Sequence, residues 1–448
     1  MSTETNDPRA DVHDGEDCGC AEYNALTALS RRQFVGGAAA LSAATAFPAW
    51  LPKVVLAESF ASTRDVIVSI FLRGGADGLS LCVPFGDADY YASRATIAIP
   101  RPDATTTATR GIALDDFFAF PQALAGLVPA YQAKDLLVVH ATGQFNNSRS
   151  HFDAQRFMEV GKPADASLVT GWLGRHLAST PPVRTAAPLR ALGLSSGLQK
   201  TLVGGPKTLP IADPANFTIG GSAATTEARL AYFRGEYANA AEPMHTAALD
   251  ATNTVTLLRA VNFAGYTPAN GAAYPNSSFG RALRSVAVLI KADVGIEAAQ
   301  IDVGGWDTHA AQNPISGSMF TTMRDYATSL AAFYADVTQG ASNYNVTVVT
   351  VSEFGRNVRE NGSAGTDHGR GTVMFAMGKG IAGGRVLTNN WPGLARENLE
   401  LGQDLKVTID YRDILAEIVK NRLGNANLDF VFPTWVPTMR GVTRGATT

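Results

Sequence analysis

The stretch from residue 346 to residue 371 constrains the fold of this chain more strongly than any other. It opens with six apolar or β-branched residues, Val346 to Val351, which by composition and length predict a buried strand. A polar, glycine-rich loop separates this strand from a second apolar run. That loop carries Glu353, Arg356, Asp367 and His368. In open α/β sheets, functional side chains gather on loops at strand ends, so we expect a site here.

The first 57 residues predict an export signal. Arg31 and Arg32 precede a polar residue, a large apolar residue and a weakly apolar run. This order is typical of a twin-arginine signal, and small residues up to Ala57 offer a cleavage site. A chance arginine pair before a core helix is the alternative. The run is too short for a membrane span. We therefore expect a periplasmic or secreted protein that uses the twin-arginine translocase and has no stable membrane anchor.

The composition indicates a soluble globular protein. Hydrophobic residues make up 46% of the chain, charged residues 17%, and the net charge is −3, so we expect no nucleic-acid surface. Cys82 is the one cysteine after residue 57, and it lies in an apolar run that predicts a buried thiol. Residues 58–448 are expected to form a single domain, with a helical insertion near 180–275.

Strands alternate with helices along the chain, which predicts a mostly parallel sheet with helices on both faces. The strands are predicted at 65–72, 136–141, 189–194, 298–303, 346–351 and 372–377. The main helices are predicted at 121–131, 151–159, 170–176, 224–238, 242–264, 278–292, 320–341 and 411–423.

The helix beginning at His151 follows a strand and opens with a capping pattern. Ser150 with Asp153 three residues later predicts an N-cap, and Ser148 and Arg149 lie just before it. A helix N-terminus favours anions, so this position suits a nucleophile or an anion clamp. The alternative is a plain cap beside a satisfied polar histidine. After the first strand, Arg73 opens a glycine-rich turn that either faces an anion or forms a local ion pair with Asp77.

A second candidate site follows the strand 298–303. This strand delivers Asp302, and the glycines after it lead to Asp307 and His309. Asp307 and His309 alternate around one residue, so in an extended segment both side chains point the same way. A carboxylate and an imidazole on one side are suitable metal ligands. The alternative is that Asp307 only orients His309.

Several motifs together resemble a known family. They are Ser-His-Phe-Asp-Ala-Gln at 150–155, Gly-Gly-Trp-Asp-Thr-His at 304–309, Ser-Glu-Phe-Gly-Arg at 352–356 and Thr-Asp-His-Gly-Arg-Gly at 366–371. With the leader, they resemble the bacterial twin-arginine-exported family of unknown function described as sulfatase-like. That family is placed near the alkaline phosphatase and sulfatase superfamily. The resemblance implies a three-layer α/β/α sandwich, one or two metals, a nucleophile at a helix N-terminus, and phosphate or sulfate esters as substrates.

The resemblance also implies roles for particular residues. One divalent metal (zinc, manganese or calcium) would be held by Asp307, or Asp302, together with His309 and His368. A second, weaker site would use Glu353 and Asp367, because Phe354 stands where the superfamily has a histidine ligand. Ser148 or Ser150 is the candidate nucleophile. The anionic ester would be held by arginines, the candidates being Arg73, Arg149, Arg356 and Arg370.

These expectations lead to a first hypothesis, an exported metal-dependent hydrolase or transferase of phosphate or sulfate esters. The alternative is a non-catalytic exported binding or assembly protein that retains the alkaline phosphatase-like fold. A structural surface protein with no site is the third possibility.

Overall fold

The computed structural model describes residues 64–445, all within one compact unit. The predicted export signal lies outside these residues. The strands are β1 (Val66–Leu72), β2 (Ile112–Ala113), β3 (Ala119–Phe120), β4 (Leu136–Gly143), β5 (Ala191–Gly193), β6 (Thr208–Pro210), β7 (Ala298–Val303), β8 (Val346–Ser352), β9 (Thr372–Met377), β10 (Arg385–Leu387) and β11 (Ile409–Asp410).

Helices connect these strands. The α-helices are α1 (Gly78–Leu81), α2 (Ala88–Ser93), α3 (Val128–Gln132), α4 (His151–Val160), α5 (Trp172–Ala178), α6 (Thr226–Glu236), α7 (Met244–Ala260), α8 (Ser278–Lys291), α9 (Ser318–Thr338), α10 (Tyr411–Asn421) and α11 (Leu428–Val431). Short 3-10 helices occur at Gln122–Leu127, Lys200–Leu202, Pro214–Asn216, Ala223–Thr225 and Arg396–Asn398. In the part of the chain that the structure describes, no helix combines the length and apolar character needed to cross a membrane.

The described residues form one large mixed sheet, in the order β10-β4-β9-β8-β1-β7-β5-β6, with β11 beside β4. All pairings in this sheet are parallel except those of β9, which runs antiparallel to β4 and β8. β2 and β3 form a separate two-stranded antiparallel sheet. The predicted mixed α/β fold with a mostly parallel sheet is confirmed. The antiparallel β9 follows from its connection, because the loop 353–371 contains no crossover helix of the kind that parallel neighbours need.

The apolar runs of the central strands bury side chains on both faces of the sheet. In β1, Val68, Ile70 and Leu72 belong to one hydrophobic cluster, whereas Ile67 and Phe71 belong to another. Side chains of α8 and α9 join the first cluster, and side chains of α10 join the second. Successive side chains of a strand point to opposite faces, so a strand buried on both faces has a nearly continuous apolar sequence.

The sheet brings all the candidate loops to one edge. Leu72 at the end of β1 pairs with both Val303 of β7 and Ser352 of β8, so these three parallel strands end side by side. Because β9 is antiparallel, it starts at this same edge, where Thr372 pairs with Thr142 near the end of β4. The loops after β1, β4, β7 and β8 and the loop before β9 therefore meet here.

Candidate metal centre

Helix α4 begins as its sequence predicts. The Ser150 side chain accepts the N–H of Asp153 at 3.4 Å, and Gly161 ends the helix with a φ of 66°. The predicted N-cap is therefore confirmed. The cap also fixes the position of His151, the first residue of the helix, which points to the end of β8.

Three histidines in this region each direct Nδ1 at an oxygen that can only accept a hydrogen bond. The pairs are His151 with Glu353 at 2.8 Å, His309 with Asp367 at 2.9 Å, and His368 with the backbone carbonyl of Arg149 at 2.9 Å. Nδ1 therefore carries the proton in each neutral ring, and Nε2 is left with a lone pair. Partners of this kind commonly hold metal-binding histidines in orientation.

The three Nε2 atoms converge on Asp307. The Nε2 atom of His309 lies 3.0 Å from Nε2 of His368 and 3.0 Å from Asp307 Oδ1. The Nε2 atom of His368 lies 3.3 Å from Asp307 Oδ1, and that of His151 lies 3.6 Å from Asp307 Oδ2. His151 Nε2 is also buried and has no hydrogen-bond partner in the described structure.

These residues fit a divalent cation. Ligand atoms of His151, Asp307 and His368 all lie within 4.8 Å of one another. Tetrahedral ligands at about 2.0–2.1 Å from zinc are roughly 3.3 Å apart. The Nε2 atoms of His309, His368 and His151 lie at comparable distances from the Asp307 carboxylate, at 3.0, 3.3 and 3.6 Å. Lone pairs that face each other across such a space repel, and a cation between them removes that repulsion. The triad supplies two imidazoles and one carboxylate, which are ligands for divalent metals, and His309 Nε2 lies beside it, 3.0 Å from His368 Nε2.

Arg356 fixes the carboxylate of this centre. Its side chain is fully buried and donates to Asp307 Oδ1 at 2.6 Å. The remaining donors bind backbone carbonyls of the neighbouring loops, at Gly74, Gly75, Trp306 and Thr366. Burial would raise the pKa of Asp307, but the hydrogen bond and charge of Arg356 outweigh it and lower that pKa. Asp307 is thus held as an anion.

Glu353 supports the centre from behind His151. It is fully buried and also accepts hydrogen bonds from the backbone N–H of Gly74 at 2.8 Å and from Gln155 at 2.9 Å. Burial would raise the pKa of Glu353, but the bonds from His151 and Gln155 outweigh it and lower that pKa. The same bond to Glu353 raises the pKa of His151 against the effect of burial. The pKa of His368 is lowered, first by burial and then by the charges of Arg356 and His151.

The structure sorts the candidate metal ligands into three groups. Asp307, His309 and His368 lie together at the centre. Glu353 and Asp367 lie behind histidines, each bound to an Nδ1 atom. Asp302 lies apart, because both of its carboxylate oxygens accept from Arg73 at 3.1 Å.

The four candidate arginines all bind acceptors within the protein. Arg73 donates to Glu159 at 2.9 Å as well as to Asp302, Arg149 donates to Asp404, and Arg370 donates to Glu400 at 2.6 Å. The donors of Arg356 are shared between Asp307 and carbonyls. The possible local pair of Arg73 with Asp77 is not formed, because Asp77 is buried against Arg94.

The two candidate serines flank the residue whose carbonyl binds His368. Ser148 Oγ accepts the backbone N–H of Ser150 at 3.3 Å, and Ser150 Oγ serves as the cap of α4. Both hydroxyl hydrogens therefore remain available to other acceptors.

His151 belongs to this cluster, although the sequence pattern does not predict it as a metal ligand. Its position after an N-cap suggested either an anion site or a satisfied polar side chain. A histidine at the first position of a helix that follows a strand end was the available signal. Its role depends on α4 packing beside β8, which a local pattern does not specify.

A protein-family profile described as "Protein of unknown function (DUF1501)" matches residues 64–421. The chain therefore belongs to this family. No curated protein matches the sequence.

Two solved structures resemble the chain weakly. One is alkaline phosphatase from the Antarctic bacterium TAB5, with 13% identity, 71% of this chain and 92% of that chain covered, and a TM-score of 0.28. The other is a mutant of TAB5 alkaline phosphatase with magnesium bound in the M3 site, with 12% identity, coverage of 70% and 91%, and a TM-score of 0.28.

Proposed function

We propose that this protein is an exported metal-dependent hydrolase or transferase of phosphate or sulfate esters, built on a three-layer α/β/α sandwich. One observation carries the proposal: three imidazole Nε2 atoms and the Asp307 carboxylate face a common space, and every Nδ1 is held by an acceptor on its far side. A histidine with a purely structural role is already satisfied by one acceptor for its Nδ1 proton, and its Nε2 atom has no reason to face other Nε2 atoms. Three histidines arranged in this way indicate a common ligand between them.

His151, Asp307, His309 and His368 would hold the metal. A divalent ion in such a site polarises an ester oxygen and favours the ionised form of an attacking hydroxyl. Zinc is the best match among zinc, manganese and calcium, because calcium selects oxygen ligands and this set has three nitrogens. The buried Glu353 and the more exposed Asp367 keep two of the histidines in the tautomer that presents Nε2.

We favour Ser148 over Ser150 as the nucleophile. Ser150 is exposed and its oxygen caps α4, whereas Ser148 is half-buried just before the residue that binds His368. The N–H of Ser150 also approaches Ser148 Oγ, which stabilises negative charge on that oxygen. The Ser148 oxygen would form a bond to the phosphorus or sulfur as the bond to the leaving-group oxygen breaks, and its proton would leave to a solvent base. The leaving group would depart as its alcohol, and water or an acceptor alcohol would then release the phosphate or sulfate from Ser148.

The test compares Ser148→Ala with Ser150→Ala, using an aryl phosphate and an aryl sulfate as substrates and measuring bound metal in parallel. We expect Ser148→Ala to abolish turnover while it keeps its metal. Ser150→Ala should keep turnover but lose about 1 kcal/mol of stability with its cap. Unchanged turnover in Ser148→Ala would contradict the assigned nucleophile, and absence of turnover in metal-loaded wild type would contradict the hydrolase.

A non-catalytic binding or assembly protein is the second candidate. One observation favours it: each candidate arginine is already paired with a carboxylate of the protein, so none has its donors free for an ester anion. These residues are Arg73, Arg149, Arg356 and Arg370. This candidate predicts stoichiometric metal without turnover of either aryl ester. The same two assays therefore separate the two functions.

Export through the twin-arginine translocase is part of the proposal. Replacing Arg31 and Arg32 by lysine should retain the protein in the cytoplasm, as measured by cell fractionation. Equal amounts of wild type and variant in the periplasmic fraction would contradict this route.

A further inference from the structure

A cleft of about 450 Å³ adjoins the candidate metal centre. Asp367 lines it, and the same carboxylate binds His309 Nδ1 at 2.9 Å. Asn361 lines it as well, and its side chain donates to Asp367 at 3.1 Å and to the His309 carbonyl at 2.9 Å. The cleft therefore shares a wall with the residues that support His309. Its volume lies within the range of small-molecule sites.

Two arginines on the walls of this cleft differ from the arginines of the centre. Arg359 and Arg396 are exposed, and neither side chain has a hydrogen bond or ion pair within residues 64–445. Unpaired guanidinium groups in a concave site keep all their donors for a ligand. A planar guanidinium group can donate two parallel hydrogen bonds to the oxygens of a carboxylate, phosphate or sulfate group.

Three acidic residues line the same walls, and two of them are already engaged by donors of the protein. The carboxylate of Glu360 is occupied by the backbone N–H groups of Thr96 and Ile97, at 3.0 and 3.1 Å, and by the Thr96 hydroxyl at 2.9 Å. Asp367 is engaged by His309. Among the acidic lining residues, Asp89 is the one whose carboxylate has no hydrogen bond within the described residues. The cleft therefore has one carboxylate and two guanidinium groups without a partner in the described structure.

We propose that this cleft binds the leaving-group part of the substrate and recognises a second anionic group on it through Arg359 and Arg396. This inference rests on the proposed function and narrows it. The substrate is then a phosphate or sulfate ester that carries a further carboxylate, phosphate or sulfate. An ester with a neutral leaving group would leave both arginines unpaired.

The experiment compares non-hydrolysable ligands that differ only in the second anion. Phenylphosphonate and its 3-carboxy and 4-carboxy derivatives are titrated calorimetrically into metal-loaded protein. We expect at least one carboxylated ligand to bind on the order of tenfold tighter than phenylphosphonate, the effect of one charge-assisted contact. The double variant Arg359→Gln/Arg396→Gln should lose this preference while its affinity for phenylphosphonate and its metal content stay unchanged.

Two further variants sharpen the test. Arg324→Gln removes an exposed arginine that lines a different cavity, so it should keep the preference. Asp89→Asn removes the opposing carboxylate that has no hydrogen bond, and it should increase the preference. Equal affinity for all three ligands, no binding of any of them, or a preference that survives in the double variant would overturn the inference. Because these ligands are not turned over, this result is independent of the aryl-ester assay that tests the hydrolase itself.

Discussion

Replacing Glu353 by glutamine should weaken metal binding without unfolding the protein. Its Oε1 accepts from His151, Gln155 and the backbone of Gly74, whereas its Oε2 contacts only the Ser352 hydroxyl, at 3.0 Å. A glutamine can keep its oxygen at the first position and turn its amide toward Ser352. The hydrogen bonds are then preserved, and the main loss is the negative charge behind His151.

The expected magnitude follows from this geometry. Loss of a partner behind a metal-binding histidine typically costs 10- to 100-fold in metal affinity. Because the glutamine keeps the hydrogen bond, we expect the lower end, about tenfold or about 1.4 kcal/mol. Glu353→Ala is a poorer test, since it leaves buried donors without partners, at about 1–3 kcal/mol each.

The assay is a zinc titration in competition with a chromophoric chelator, with urea unfolding of the metal-free protein run in parallel. Glu227→Gln is the matched control, because Glu227 is exposed on α6. We expect the control to match wild type. If Glu353→Gln bound zinc as tightly as wild type while His151→Ala bound it weakly, the supporting role of Glu353 would be refuted.

Three further predictions concern stability, pH and the ligand set. Arg94→Met should destabilise the protein by about 3–5 kcal/mol in urea unfolding, because it leaves the buried Asp77 carboxylate without its charged partner. A loss below about 1 kcal/mol would contradict this. In metal-free protein, the raised pKa of His151 means that protonation stabilises the fold below pH 6.5, and this contribution is lost as pH rises through the raised pKa. The free energy of unfolding of wild type minus that of His151→Ala should therefore decrease as pH rises through this range. Asp302→Asn should leave metal content unchanged, because Asp302 pairs with Arg73. Loss of metal in this variant would show that Asp302 is a ligand.

The main strands could be predicted because their apolar runs are long. β1, β4, β8 and β9 bury nearly every side chain and β7 buries its first four, and such runs are visible in a single sequence. β6, β10 and β11 are two or three residues long, too short to show a period. The direction of β9 was not visible either, because it depends on the path of a loop that lacks a repeating pattern.

The site was predictable in part for a related reason. Asp307, His309 and His368 follow or precede strands, and parallel register brings strand ends together. A single sequence predicts Glu353 and Asp367 as metal ligands but does not show which atom of an imidazole each carboxylate approaches. In the structure, each carboxylate is hydrogen-bonded to a histidine Nδ1. The placement of His151 depends on how α4 packs, which only the folded structure reveals.

Elemental mass spectrometry of the purified protein tests the central claim most directly. We predict one divalent metal ion per chain in wild type, lost in His309→Ala and in His368→Ala. His245→Ala is the matched control, because His245 lies on α7 and binds the Tyr237 carbonyl at 2.8 Å. It should retain the metal. Folded wild-type protein that holds no metal above background, even after zinc, manganese and calcium are offered, would contradict the metal centre and the function built on it.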